Sequence, residues 1–189
     1  MSSRINTTSP RRTLVIATAL SATASALIVY PAVHEGGHYL AARLTGVEVR
    51  GVVWTMLTGK APHVSLGPTS GDVLPWVNAG GLILPTIVGI AILVIWLIFA
   101  DRWPAWARSA FAIPGIGLLA GNAGTVVELF REPTLLHHMQ PLARHLGLSG
   151  IASFGFQSLP AIVSLIFTGL WFRRLWMARR KAPGSAPQR

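Results

Sequence analysis

Two imidazoles and a carboxylate stand within five residues of one another in "VHEGGHYL": His34, Glu35 and His38. On an α-helix, residues four apart share a face, so the rings of His34 and His38 can aim at one point. Two imidazoles placed in this way begin a zinc site, with the neighbouring glutamate available as a base. Glu35 lies about 100° round the helix from His34, too far to be a third ligand of that turn but near enough to reach a water on the metal. Zinc lowers the pKa of such a water to about 7, and the carboxylate can take its proton during attack on a peptide carbonyl. Gly36 and Gly37 weaken the helix by roughly 1 kcal/mol each relative to alanine, and they clear space beside the metal for another helix or an extended substrate.

The elements that must position this triad are apolar. Of 189 residues, 51% are hydrophobic and 12% charged, the latter about half the share of an average soluble domain. Ionisable side chains inside an apolar span are expensive, and they default to a functional explanation. Four apolar segments reach the roughly 20 residues needed to cross a bilayer: Thr13 to Leu44 (interrupted by Pro31), Leu74 to Ala100, Ala105 to about Phe130, and Ile151 to Phe172. The expected fold class is an all-α polytopic membrane protein with about four transmembrane helices. A short β-hairpin or re-entrant loop is expected after the first helix. There "VEVRGVVWTML" reads as a hairpin and "TGKAPHVSLGPTSGD" as a turn-rich loop, which could equally be a cavity wall or an ordinary exterior loop. Pro31 is expected to kink the first helix.

The net charge of +10 is explained by flanks. Arg4, Arg11 and Arg12 precede the first span, and Arg173, Arg174, Arg179, Arg180, Lys181 and Arg189 follow the last. With Arg102 and Arg108 these make eleven basic residues on one side, against Arg43, Arg50, Lys60, Arg131 and Arg144 on the other. Positive-inside counting then puts both termini in the cytoplasm and makes membrane lipid the partner of the charge. No nucleic-acid-binding module accompanies the charge, so no nucleic-acid partner is expected. The apolar N-terminal stretch runs straight into the histidine motif, and it is expected to be retained rather than removed as a signal peptide. With no cysteine in the chain, thiolate metal sites and cysteine nucleophiles are excluded.

The His-Glu-x-x-His motif in a transmembrane helix, followed by "YLAARLTGVEV" and a β-like stretch, resembles the site-2 protease group of intramembrane zinc metalloproteases. It is most similar to the short bacterial M50B-like members. "WVNAGGLILPTIVG", Trp76 to Gly89, resembles their small-residue second helix. The resemblance covers about the first half of the chain well and the third segment loosely. It implies a Zn2+ cofactor held by His34 and His38, Glu35 as catalytic base, and cleavage of a transmembrane protein or peptide substrate in or near its membrane segment. It also implies an integral protein of a bacterial cell membrane. The chain then divides into a basic cytoplasmic tail (1–12), a membrane-embedded metalloprotease-like domain (13–172) and a basic disordered tail (173–189).

Catalytic zinc takes three protein ligands, and the family draws the third from an Asp beside a Gly in a later span. No such Asp is present. In "GLLAGNAGTVVELF" Asn122 stands near the expected carboxylate position, and Glu128 is the rival; the two lie about 240° apart on a helix. His137 and His138 are further candidates. A neutral amide is a poor zinc ligand, so a catalytically inactive relative that binds membrane segments or a partner is the alternative reading. A metal transporter ranks below both, because no internal repeat is visible. Asn78 can bond a substrate backbone or glue helices. Gly80, Gly81 and Gly89 permit close helix approach. His63 and His145 read as solvated loop histidines. Trp96, Trp103, Trp106, Trp171 and Trp176 read as interfacial anchors.

Overall fold

The computed structural model describes residues 10–131 and 139–180. Within those ranges the side chains of 10, 122–131, 175, 176 and 178–180 are not described. His137 and His138 therefore lie outside the described residues.

The first apolar segment is one helical run in three pieces: α1 (Pro10–Ala24), a π-helical turn (Ser25–Val29) and α2 (Tyr30–Leu44). Pro31 has no N–H to give to a carbonyl four residues back, and its ring crowds that position. The chain meets this by widening the turn just ahead of the proline, where the Tyr30 N–H reaches back to the Ser25 carbonyl. The expected kink is thus a π-turn in a continuous run, one helical turn before His34. Helix α1 starts inside the stretch read as tail because Pro10 suits a first helical position. At the other end, Gly46 adopts φ +77°, and the Val47 N–H bonds the Ala42 carbonyl at 2.8 Å. That left-handed cap turns the chain out of α2 and lays Val47 against Ala42 and Val77.

A two-stranded antiparallel sheet follows, β1 (Val49–Val53) against β2 (His63–Leu66), with Val53 opposite His63 and Val49 opposite Leu66. The second strand falls in the stretch read as loop. The alternation of Val64 and Leu66 is too short to stand out between Pro62 and Gly67. Helix α3 (Leu74–Phe99) matches the second expected segment. Helix α4 (Ala105–Arg131) matches the third, and the short α5 (Gln140–His145) leads into α6 (Gly150–Arg180). Helix α6 passes through the boundary drawn after residue 172, since arginines at a span end favour helix. Arg174 is also held there: it donates to the Leu97 carbonyl and pairs with Asp101 at 2.8 Å.

Three runs among the described residues are long and apolar enough to cross a membrane: Arg11–Leu44, Leu74–Arg102 and Gly150–Arg174. Four were expected, and α4 is not among these three. Large apolar side chains such as Val15, Ile87, Ile98 and Leu165 stand exposed on the runs, as lipid contact requires.

Contacts fix the helix directions. On α4, Ala110 meets Ser21 and Gly121 meets Tyr30, so α4 runs alongside α1 and α2 in the same sense. Helix α3 opposes them: Gly37 meets Gly80 while Gly36 faces Leu84. Trp96, Ala100 and Ala112 form a core between α3 and α4, with Trp171 of α6 against it. Trp96 is 3% exposed, donates its indole N–H to the Arg108 carbonyl at 2.9 Å and carries the Arg174 guanidinium over its ring. It is a core residue rather than the interfacial anchor expected from its place near a span end.

Pro114 leaves the Ala110 carbonyl without its helical donor, and the Ser21 hydroxyl of α1 supplies one at 2.7 Å. Ser21→Ala should therefore lower stability by about 1 kcal/mol, while Thr23→Ala on the exposed face should leave it unchanged, as read by denaturant titration in detergent micelles.

Candidate metal centre

His34 and His38 project from one side of α2, and their Nε2 atoms lie 3.3 Å apart. The ring planes are nearly perpendicular, at 81°. His38 Nδ1 stands 2.7 Å from the Val77 carbonyl of α3. A carbonyl can only accept, so that nitrogen carries the proton, and the Nε2 lone pair is directed towards His34. Two nitrogens each about 2.0–2.1 Å from one tetrahedral zinc would be separated by roughly 3.3 Å. The pair has the spacing and, at His38, the tautomer that a shared metal requires.

The helix contacts that hold these rings are made by glycine. A Cβ built on Gly37 would fall on the Gly80 carbonyl, one on Gly80 would meet the Gly37 carbonyl, and one on Gly81 would lie within the His38 ring. Gly36 is different, because a Cβ there would meet only Leu84 at 3.6 Å and Trp54 at 3.9 Å, ordinary contacts. Of the two glycines in the motif, Gly37 makes the close approach. On the other side of the pair, Tyr30 stacks on His34 at 5.6 Å between centroids, and Gly121 of α4 gives room for the Tyr30 ring.

Glu35 is 7% exposed. The Val64 N–H of β2 bonds its carboxylate, and His63 stands close enough to attract it. A cavity of about 390 Å³ opens here, with His34, Glu35 and His38 on one wall and His63 and Val64 on the other. Val77 and Asn78 line it as well. The hairpin is therefore a cavity wall, one of the two readings its sequence left open. His63, read as a solvated loop histidine, begins β2 and faces the site; its Nδ1–H bonds the Ala61 carbonyl at 2.9 Å. The signal that could have found it is the Val-x-Leu alternation just after it. His145 ends α5 and packs edge-on against Trp76 at 6.2 Å; both histidines are exposed, as read, and it is their placement in loops that the strand and helix correct.

Among the described residues no group of three His, Cys, Asp or Glu side chains gathers closely enough to hold a metal. Asn122 and Glu128 lie on α4 beyond Gly121, the helix that backs Tyr30, and their side chains are outside the described set. No protein-family model, curated protein or solved structure matches the chain.

If the histidine pair holds zinc and Gly81 sets the His38 ring, Gly81→Ala should weaken zinc binding by about 10–100-fold, the usual cost of disturbing a ligand's support. Gly36→Ala should bind zinc like the wild type. Isothermal titration of the two purified variants with zinc checks both.

Proposed function

We propose that this chain is a four-span membrane zinc endopeptidase, hydrolysing a peptide bond in or near a transmembrane segment of its substrate. The observation that carries the reading is the 3.3 Å approach of the His34 and His38 Nε2 atoms, with His38 oriented by the Val77 carbonyl. The resemblance of the His-Glu-Gly-Gly-His helix to site-2 proteases supports the same assignment. The four-span count rests on α4, which packs along the first helical run from Ser21 of α1 to Tyr30 of α2 and along α3 at Gly89 and Trp96. It is thus enclosed by runs that are themselves apolar enough to cross. Both termini then face one side, and positive-inside counting makes that side the cytoplasm.

In this reading His34 and His38 hold zinc, and α4, which carries Asn122 and Glu128, supplies the third donor. When bound, zinc supplies Lewis-acid polarisation of the scissile carbonyl and a lowered pKa for water. Glu35 takes a proton from the attacking water and returns it to the leaving amine. Its burial keeps bulk solvent from competing for that proton, and the Val64 N–H holds the carboxylate in place between events. Asn78, on the cavity wall, can bond the backbone of an extended substrate.

A second reading, a catalytically inactive relative that grips membrane segments, rests on the sequence, which has no Asp beside a Gly in a later span to complete the ligand set.

Metal analysis of the purified protein should find about one zinc per chain, lost in His34→Ala and in His38→Ala. Glu35→Gln should keep the metal and abolish cleavage of a co-expressed single-span substrate. Of the α4 variants Asn122→Ala and Glu128→Gln, the one that loses zinc identifies the third ligand. Wild-type cleavage by Glu35→Gln removes the protease assignment. A wild-type chain that neither holds zinc nor cuts establishes the inactive reading.

A further inference from the structure

A second cavity, of about 440 Å³, lies away from the histidines, between α5 and the first turns of α6. Arg144, Ser149, Ser153 and Gln157 line it, with Leu148 and Phe154 beside them. Three observations converge there. The first is Gln157, which is only 9% exposed although it belongs to an apolar span. Its amide nitrogen donates to Ser153 Oγ at 2.9 Å, while its Oε1 is buried and has no hydrogen-bond partner. An amide can turn over, with Ser153 Oγ–H then donating to the oxygen and the NH2 left over. In either orientation one strong hydrogen-bonding group is left unmade beside the cavity, at a cost of about 1–3 kcal/mol, and a guest towards which the side chain turns would satisfy it.

The second observation is charge. Arg144 is exposed at the end of α5, and its guanidinium has no ion-pair partner among the described residues. The third is the backbone. Helix α6 runs 31 residues from Gly150, and its first-turn N–H groups, which have no acceptor within the helix, open beside Ser149. Cation, amides, hydroxyls and a turnable carboxamide together suit a tetrahedral oxyanion. The setting indicates the source. Gly150 begins the run Gly150–Arg174, so the cavity sits where a span meets water, at headgroup depth. Ile151, 92% exposed, and Phe154 offer the adjoining apolar surface that acyl chains would cover.

We infer that the cavity between α5 and α6 is a binding site for a phosphate ester, the headgroup of an anionic membrane lipid. The phosphate sits between the Arg144 guanidinium and the amides that open α6, and Gln157 bonds a phosphate oxygen through its NH2 or a headgroup hydroxyl through Oε1. The site is separate from the histidine cavity, and it stands whether or not the chain is a peptidase.

The experiment melts the full-length protein in detergent micelles doped with phosphatidylglycerol, with a diacylglycerol of the same chains, or with inorganic phosphate. Phosphatidylglycerol should raise the melting temperature by several degrees, and diacylglycerol should not. Arg144→Gln and Gln157→Leu should each abolish the rise, and Arg43→Gln, removing a basic residue elsewhere, should keep it. Gln157→Leu removes a buried unpartnered oxygen but also gives up the bond to Ser153 Oγ, so the two effects offset and it should melt close to the wild type without lipid; loss of response in a chain of near-full stability cannot be a folding defect. An equal rise with inorganic phosphate, lost in the same two variants, supports the oxyanion site and identifies a soluble phosphate as the source. No rise with either phosphate compound overturns the inference. So does a rise that diacylglycerol matches, or one that Arg144→Gln and Gln157→Leu both retain.

Discussion

The close approach of α2 and α3 at Gly37 and Gly80 is the contact on which the site depends. Two helices whose backbones touch leave no latitude in register or rotation, because either glycine given a side chain would occupy the other's carbonyl. That contact sets the Val77 carbonyl 2.7 Å from His38 Nδ1. The bond in turn decides which ring nitrogen keeps its lone pair. The same approach places Gly81 beneath the His38 ring and brings Val77 and Asn78 to the cavity. A metal site is only as well defined as the partners that orient its ligands. Here the orienting partner is a backbone carbonyl, which no side-chain rotamer can move.

The rest of the bundle keeps polar atoms satisfied in an apolar medium. Each proline inside a helix frees a carbonyl four residues earlier, and in lipid no water stands ready to take it up. The chain answers in different ways. Before Pro31 it opens a π-turn, and opposite Pro114 it brings the Ser21 hydroxyl from a neighbouring helix. Hydroxyls inside the helices bond back to their own backbone, as Thr86 does to Leu82 at 2.8 Å and Ser164 to Pro160 at 2.6 Å. Among the described residues a few buried groups stand outside this pattern, Ser25 Oγ, Ser158 Oγ and Gln157 Oε1 among them. Of the three named, Gln157 is the one that lines a cavity.

Features carried by local spacing were legible in the sequence, and those that need a neighbour were not. The interval between His34 and His38 is a property of one helix turn, so both rings could be placed on one face before any fold was known. Helix α3 announced itself by length and apolarity, and a Gly-rich start near Gly80 signalled close packing. The difference between Gly36 and Gly37 was not legible, because only the position of α3 tells which one is crowded. Trp96 has the same sequence setting as an interfacial tryptophan; its burial comes from Arg108 of the next helix and Arg174 of the last. Strand β2 was hidden for a similar reason. Four residues between Pro62 and Gly67 carry too little pattern to be read, and the pairing partner Val49–Val53 supplies the rest. Where Asn122 and Glu128 stand relative to the histidine pair belongs to the same class, since it depends on how α4 runs past Tyr30.

The site is held unequally on its two sides. The helical wall, with the histidines and Val77, is fixed by backbone contact. The sheet wall is anchored at one end, where Val49 and Leu66 pack on Ala42, Val47 and Val77. At the other end Trp54 keeps a ring contact with Tyr39 at 5.8 Å, Met56 and Leu57 are exposed, and His63 belongs to that end. Segments with few buried contacts open at lower free energy than the core they cover. The hairpin covers Glu35, and the less anchored wall is the one whose displacement widens the cavity and uncovers that carboxylate. The rigid wall keeps the geometry of the histidine pair, and the more compliant one controls access to it.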